Sequence, residues 1–187
     1  MRNINQRYVE ETYDDEGLLK TIKYRWPDNF NFGYDVVDAW AKKDRNRLAM
    51  IWVDKKGNEK KFTFRDMMNL SNQAANILLK YGINKGDRVL ILLPRIPEWW
   101  IFVVALIKLG AVYCPCPSLL TPKDLQYRIN VGHFKMVITN LENSWKIEEI
   151  CKDCPSLQVR FLVDGELEGI VTKTDILDLI VEIEGVF

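Results

Sequence analysis

Four cysteines, at 114, 116, 151 and 154, have the spacing in this sequence that most invites chemistry. C-x-C followed by C-x-x-C is a pattern in which thiolates can share zinc or an iron–sulfur cluster. Their neighbours favour a plainer reading. Cys114 follows an apolar run, Cys116 sits between Pro115 and Pro117, and Cys151 and Cys154 close a helix ahead of Pro155. No metal site is expected. His133 is the sole histidine, with no Ser or Cys arrangement around it that would make a nucleophile, so a structural or solvent-facing role is expected. Asp14-Asp15-Glu16 reads as a solvated charge run and Trp99-Trp100 as core packing, a lipid- or acyl-binding surface being the alternative. YGINKGDR imitates a phosphate loop with two glycines and Lys85, but a helix end followed by a turn explains it better. Arg95 reads as a member of a surface ion pair at a strand end, with its planar fork facing phosphate oxygens as the alternative. No residue is read as catalytic.

These residues lie on a regular alternation of elements. Leu48 to Val53 predicts a strand, Asp54 to Asn58 a turn, and Lys60 to Thr63 a second strand. Thr63 and Asp66 are spaced as a helix cap, and Gly82 ends that helix. VLILLP is an apolar run suited to a strand covered on both faces. Pro97 starts the next helix and Gly110 stops it. Ala111 to Cys114 returns as a strand, Thr121-Pro122 with Asp124 starts a helix, and Gly132 ends it. Lys135 to Thr139, Glu142 to Cys151 and Val159 to Val163 continue as strand, helix, strand; Thr172 or Thr174 caps a last helix. Alternation of this kind predicts an α/β fold with a mostly parallel sheet flanked by helices. Residues 1–34 lack periodicity and read as an arm, with 35–187 as the α/β subdomain. Within this subdomain Asp35 to Lys43 predicts a short helix.

With 187 residues, 48% of them hydrophobic, the chain can bury a core. Lys plus Arg and Asp plus Glu are 26 each, and a formal charge of zero gives no preference for nucleic acid or an anionic surface. The apolar run from Trp99 to Ile107 is too short to span a membrane. The first residues, MRNINQRYVEETYDDE, contain no apolar signal core, so a cytoplasmic location is expected.

Between Phe62 and Ile129 several words occur in order. FTFRDMMNLSNQAANIL and LIKLGAVYCPC resemble the first two core motifs of the AMP-forming acyl-CoA synthetases, in the adenylate-forming superfamily. GDRV, LPRIPEWW and TPKDLQYR are most similar to the acetyl and medium-chain branch, and the later CPSLQVRFLVDG fits the corresponding region of those relatives, so that the resemblance runs from about residue 27 to about residue 170. The resemblance implies that the fold is the first subdomain of such an enzyme's N-terminal domain. It also implies a family reaction within fatty-acid metabolism, in which a carboxylic acid, ATP with Mg²⁺, and CoA give acyl-CoA, AMP and pyrophosphate. The cysteines become ordinary core and surface positions. In relatives the segment after the second motif lies near the CoA nucleotide, which here points to Pro117 to Leu120 with Arg95 close by. Leu119 or Leu120 stands where a relative has a polar side chain. No Ser/Thr/Gly-rich phosphate loop occurs in the 187 residues, so the chain alone is expected to bind none of the family's cofactors and to be inactive. Its expected partner is the remainder of a synthetase, or itself. A free-standing module that binds another polypeptide is the alternative.

Overall fold

The computed structural model describes residues 4–165 and 171–172. The chain divides into two units, Met1–Leu70 and Ser71–Phe187.

The first unit is built from local signals. Strands β1 (Val9–Tyr13) and β2 (Leu19–Tyr24) form an antiparallel hairpin. Its turn is made by Asp14, whose Oδ1 accepts the N–H groups of Glu16 and Leu18, and by Gly17 at φ 79°. The sequence reading assigned no strands here, because charged and apolar residues mix on a hairpin that is exposed along nearly all its length. Beyond it, Tyr8 meets Phe30 edge-on at 4.9 Å and Arg47 lies 3.9 Å over the Trp40 ring. The helix predicted at Asp35 starts earlier. Asn31 Oδ1 receives the Gly33 N–H, and a π-helical turn, Gly33–Asp38, leads into α1 (Ala39–Lys43). Strands β3 (Leu48–Val53) and β4 (Glu59–Thr63) pair antiparallel around the Asp54 turn. Helix α2 (Phe64–Lys80) begins at a reciprocal pair in which Thr63 N–H donates to Asp66 Oδ2 and Asp66 N–H donates to Thr63 Oγ1. The division between the units falls inside this helix.

The second unit holds a parallel sheet in the order β6-β5-β7-β8-β9. Its strands are β5 (Arg88–Leu92), β6 (Val112–Pro115), β7 (Met136–Thr139), β8 (Val159–Leu162) and β9 (Val171–Thr172). Helix α3 (Pro97–Leu109) joins β5 to β6, α4 (Pro122–Gly132) joins β6 to β7, and α5 (Leu141–Ile150) joins β7 to β8. The chain steps from β5 to one side and then returns past it, the doubly wound order 2-1-3-4-5. Val89 to Leu93 are all buried, as a strand with both faces covered requires. Leu90, Leu92 and Val137 pack with Leu125 and Ile129 of α4 and Ile147 and Ile150 of α5. Phe102 of α3 meets Phe161 of β8 at 5.2 Å.

Two helix ends follow the sequence closely. Pro97 opens α3 and Gly110, at φ 68°, closes it by donating to Ile107 and Leu106 carbonyls. Thr121 and Asp124 cap α4 reciprocally. The end of α4 differs. Gly132 belongs to the helix and His133, at φ 49°, is the left-handed cap. A Cβ on Gly132 would lie 2.3 Å from the Phe134 ring, so glycine is needed there for ring packing and not for the turn. Thr172 sits in β9; the last helix predicted beyond it lies outside the described residues.

Candidate functional site

In a doubly wound sheet, ligands bind outside the carboxyl ends of the strands, near the point where successive connections leave in opposite directions. A cavity of about 530 Å³ lies at that edge. It is walled by the loop after β5 (Leu93, Pro94, Arg95), the first turn of α3 (Trp99, Trp100) and the segment from Pro115 to Ser118 after β6. The sequence shapes this opening. Pro115 and Pro117 have no N–H to give, which an edge strand tolerates, while Cys116 between them still donates to the Ile91 carbonyl at 2.8 Å. Ile96 is extended, so Pro97 turns the chain directly into α3. Lys146 donates to the Ser118 carbonyl and ties this segment to α5. The Cys116 thiol is pushed up to about 11 by burial and by Cys114 beside it.

The structure therefore brings Arg95 together with Pro117 and Ser118 on one wall. Leu119 and Leu120 are not among the lining residues: Leu119 is 93% exposed, and Leu120 packs against the α4–α5 core. Trp99 and Trp100, read from sequence as core, are half-buried and exposed respectively and face the cavity. A helix's first turn at the carboxyl edge points its side chains past the sheet, which periodicity alone does not reveal. Sequence reasoning also missed a buried polar cluster at the end of β7. Thr139 Oγ1 donates to the Leu92 carbonyl at 3.2 Å, and Asn143 Nδ2 donates to Asn140 Oδ1 at 2.7 Å. At the surface beyond this cluster, Asp164 Oδ1 accepts the Leu141 N–H at 2.7 Å.

The other candidate residues have structural settings. All four cysteines are free thiols; Cys116 and Cys154 are buried in one apolar cluster, and Cys114, a residue of β6, packs against it. Among the described residues no three His, Cys, Asp or Glu side chains are grouped to hold a metal. In YGINKGDR, Gly82 N–H donates to the Leu79 carbonyl and Ile83 N–H to that of Leu78, a helix end before β5. Asp87 accepts from Lys135 Nζ and from the Asn84 N–H, and these bonds, the lysine first, hold its carboxyl below its ordinary range.

Comparison with known proteins places this geometry in context. A family model described as AMP-binding enzyme matches residues 37–176. The chain is 41% identical over 168 residues to acyl-coenzyme A synthetase ACSM4, mitochondrial, of Homo sapiens, covering 87% of this chain and 29% of the relative. The Mus musculus protein of the same name is 38% identical over 165 residues, 85% of this chain and 28% of the relative. A crystal structure of Brucella canis acyl-CoA synthetase superposes with a TM-score of 0.72 at 26% identity, over 81% of this chain and 28% of that one. The chain thus spans less than a third of the length of the curated relatives it matches. The mitochondrial names of these relatives overturn the expected cytoplasmic location. That expectation rested on the lack of an apolar signal core, which bears only on secretion. Mitochondrial leaders are amphipathic and Arg-rich and have no such core.

Proposed function

The chain belongs to the AMP-binding enzyme family, and from that premise we propose that it is the N-terminal portion of a mitochondrial AMP-forming acyl-CoA synthetase. Its whole reaction would join a carboxylic acid to CoA at the expense of ATP. The observation that carries the reading is the carboxyl-edge cavity, walled by two of the motif segments, LPRIPEWW and YCPCPS. Its chemistry suits one end of CoA. Arg95 offers a planar guanidinium to phosphate oxygens, and Trp99 and Trp100 offer aromatic surface to a flat base. The backbone at Leu119 and Leu120 follows on from this wall, so that the CoA nucleotide passes over a main-chain segment without a polar side chain.

ATP and Mg²⁺ do not find a matching site among the described residues. No carboxylates converge there, and the 187 residues contain no Ser/Thr/Gly-rich loop. We assign these residues no step of adenylation. In a reading with 1–34 as an arm and 35–187 as a subdomain, the chain supplies one wall of a thioesterification site. Its partner would be the remainder of a synthetase or a second copy. Edge strand β6 leaves Val112 and Tyr113 exposed to such a partner.

The decisive experiment uses the 187-residue chain joined to the rest of a synthetase. Arg95→Ala should raise KM for CoA more than KM for ATP; an unchanged CoA response removes Arg95 from the site. The chain by itself should show no carboxylate-dependent ATP–pyrophosphate exchange with acetate through medium-chain acids, and exchange above background would overturn its assignment as a non-adenylating portion. Light scattering should report dimers or larger species of the isolated chain.

A further inference from the structure

A second cleft, of about 260 Å³, opens at the opposite, amino edge of the same sheet. Three chain segments meet there: Gly86 to Arg88 entering β5, His133 and Lys135 entering β7, and Ser156 and Gln158 entering β8. Where the carboxyl-edge cavity is walled mostly by Trp, Pro and Leu, with Arg95 and Ser118 among them, this one is walled mainly by polar residues.

Their hydrogen bonds show which donors are already committed. Lys135 Nζ lies 2.8 Å from Asp87 Oδ2 and donates also to the Gly82 carbonyl at 2.7 Å, so these two charges offset each other. Arg88 is then the net charge of the cleft. Its Nη1 donates to the Gly132 carbonyl at 2.7 Å, which fixes the guanidinium beside the cleft and uses one of its five N–H groups. Ser156 Oγ is buried and has no hydrogen-bond partner. An unpartnered buried hydroxyl is costly and gains from any acceptor that reaches it. His133, at φ 49°, is the one described residue other than glycine in the left-handed region, and this conformation starts the turn that carries His133 and Lys135 to the cleft.

We propose that this amino-edge cleft binds a phosphate group, free or as a simple phosphomonoester. Arg88, His133 and Gln158, with the Asp87–Lys135 pair beside them and the Ser156 hydroxyl buried in the wall, line one volume from three segments, and a tetrahedral oxyanion with acceptors on all sides matches these donors. A planar carboxylate would engage the Arg88 fork alone. The site is separate from the proposed CoA wall, because strands of a parallel sheet place the two clefts at their opposite ends.

Phosphorus NMR of inorganic phosphate and of glycerol phosphate, titrated with the full chain at constant ionic strength, tests the proposal. Saturable line broadening is expected. Arg88→Gln should weaken it about tenfold, the loss of one charge-assisted contact. Ser156→Ala and His133→Asn, the latter a residue that accepts the left-handed backbone, should each weaken it by a smaller factor. A thermal melt of each variant confirms that it is folded. Glycerol phosphate binding as well as inorganic phosphate would assign the monoester, and weaker binding the free ion. Broadening that follows ionic strength alone, that acetate displaces as well as sulfate does, or that survives Arg88→Gln, Ser156→Ala and His133→Asn unchanged would overturn it.

Discussion

The hairpins of the first unit and the parallel sheet of the second are both β structure, yet different physics holds them. Strand β2 is exposed at every residue, whereas β7 is buried at every residue. The hairpins are joined by short turns whose geometry is written locally: Asp14 with Gly17, and Asp54, whose Oδ1 accepts from Lys56 and Asn58 N–H groups, with Gly57. The parallel strands have no such local signal. From β5 to β8 each waits for a crossover helix, and the central strands β5 and β7 are held by burial on two faces. Stability should therefore be concentrated in the sheet and turn chemistry in the hairpins.

Core truncation should separate the regions most widely. Leu90→Ala, at a site with no exposure, should cost about 2–5 kcal/mol in urea unfolding. Ile22→Ala, 41% exposed on β2, should stay within about 0.5 kcal/mol. Equal costs would break the comparison. Next in size is Gly132→Ala, where the new methyl meets the Phe134 ring at 2.3 Å. The ring belongs to the core, so about 1–3 kcal/mol should be lost; a neutral result would mean that the ring moves freely. Thr121→Ala removes a reciprocal helix cap and should cost about 1 kcal/mol, rescued in large part by Thr121→Ser.

Smaller still is a pH effect at the sheet's amino edge. The Asp87 carboxyl is held below its ordinary range, first by the Lys135 bond and then by the Asn84 N–H. A depressed carboxylate contributes stability that is complete above its unfolded value and lost as pH falls through the folded one. Melting temperature should thus drop below about pH 4 less steeply in Asp87→Asn than in the parent chain. Parallel curves would show that the ion pair is solvent-screened. The last prediction leaves stability aside. With its thiol near 11, Cys116 should be alkylated at pH 8 roughly one to two orders of magnitude more slowly than a free thiol; a fast reaction would mean that the cavity wall opens.

Legibility followed the same divide. Helix α3 was readable to the residue, since Pro97 and Gly110 act through their own backbone restrictions. The cap of α4 was equally plain, because Thr121 and Asp124 satisfy each other three residues apart. Its end was misread: a glycine near a helix terminus suggests a left-handed cap, but Gly132 is required by Phe134 and His133 takes the positive φ. The β1–β2 hairpin was invisible because neither face has to be apolar. At the carboxyl edge, Arg95 was a candidate only through the family resemblance. Trp99 and Trp100 could not be told from core residues, since an aromatic pair at helical spacing has the same signature in a core as on a cavity wall.

The order of elements, the caps and the family words are properties of neighbours in sequence, and the sequence by itself determined them. It also placed the chain among the AMP-binding enzymes, because words in fixed order survive where no long-range contact is known. Only the tertiary structure decided which strand lies beside which and which strand ends border a cavity. The return of the chain past β5, giving the order β6-β5-β7-β8-β9, brings the loops after β5 and β6 to one edge and Arg88, His133 and Ser156 to the other. Residues as far apart as 88 and 156 carry no local trace of meeting. Their encounter depends on helices covering both faces of the sheet, and burial acts on the folded chain as a whole.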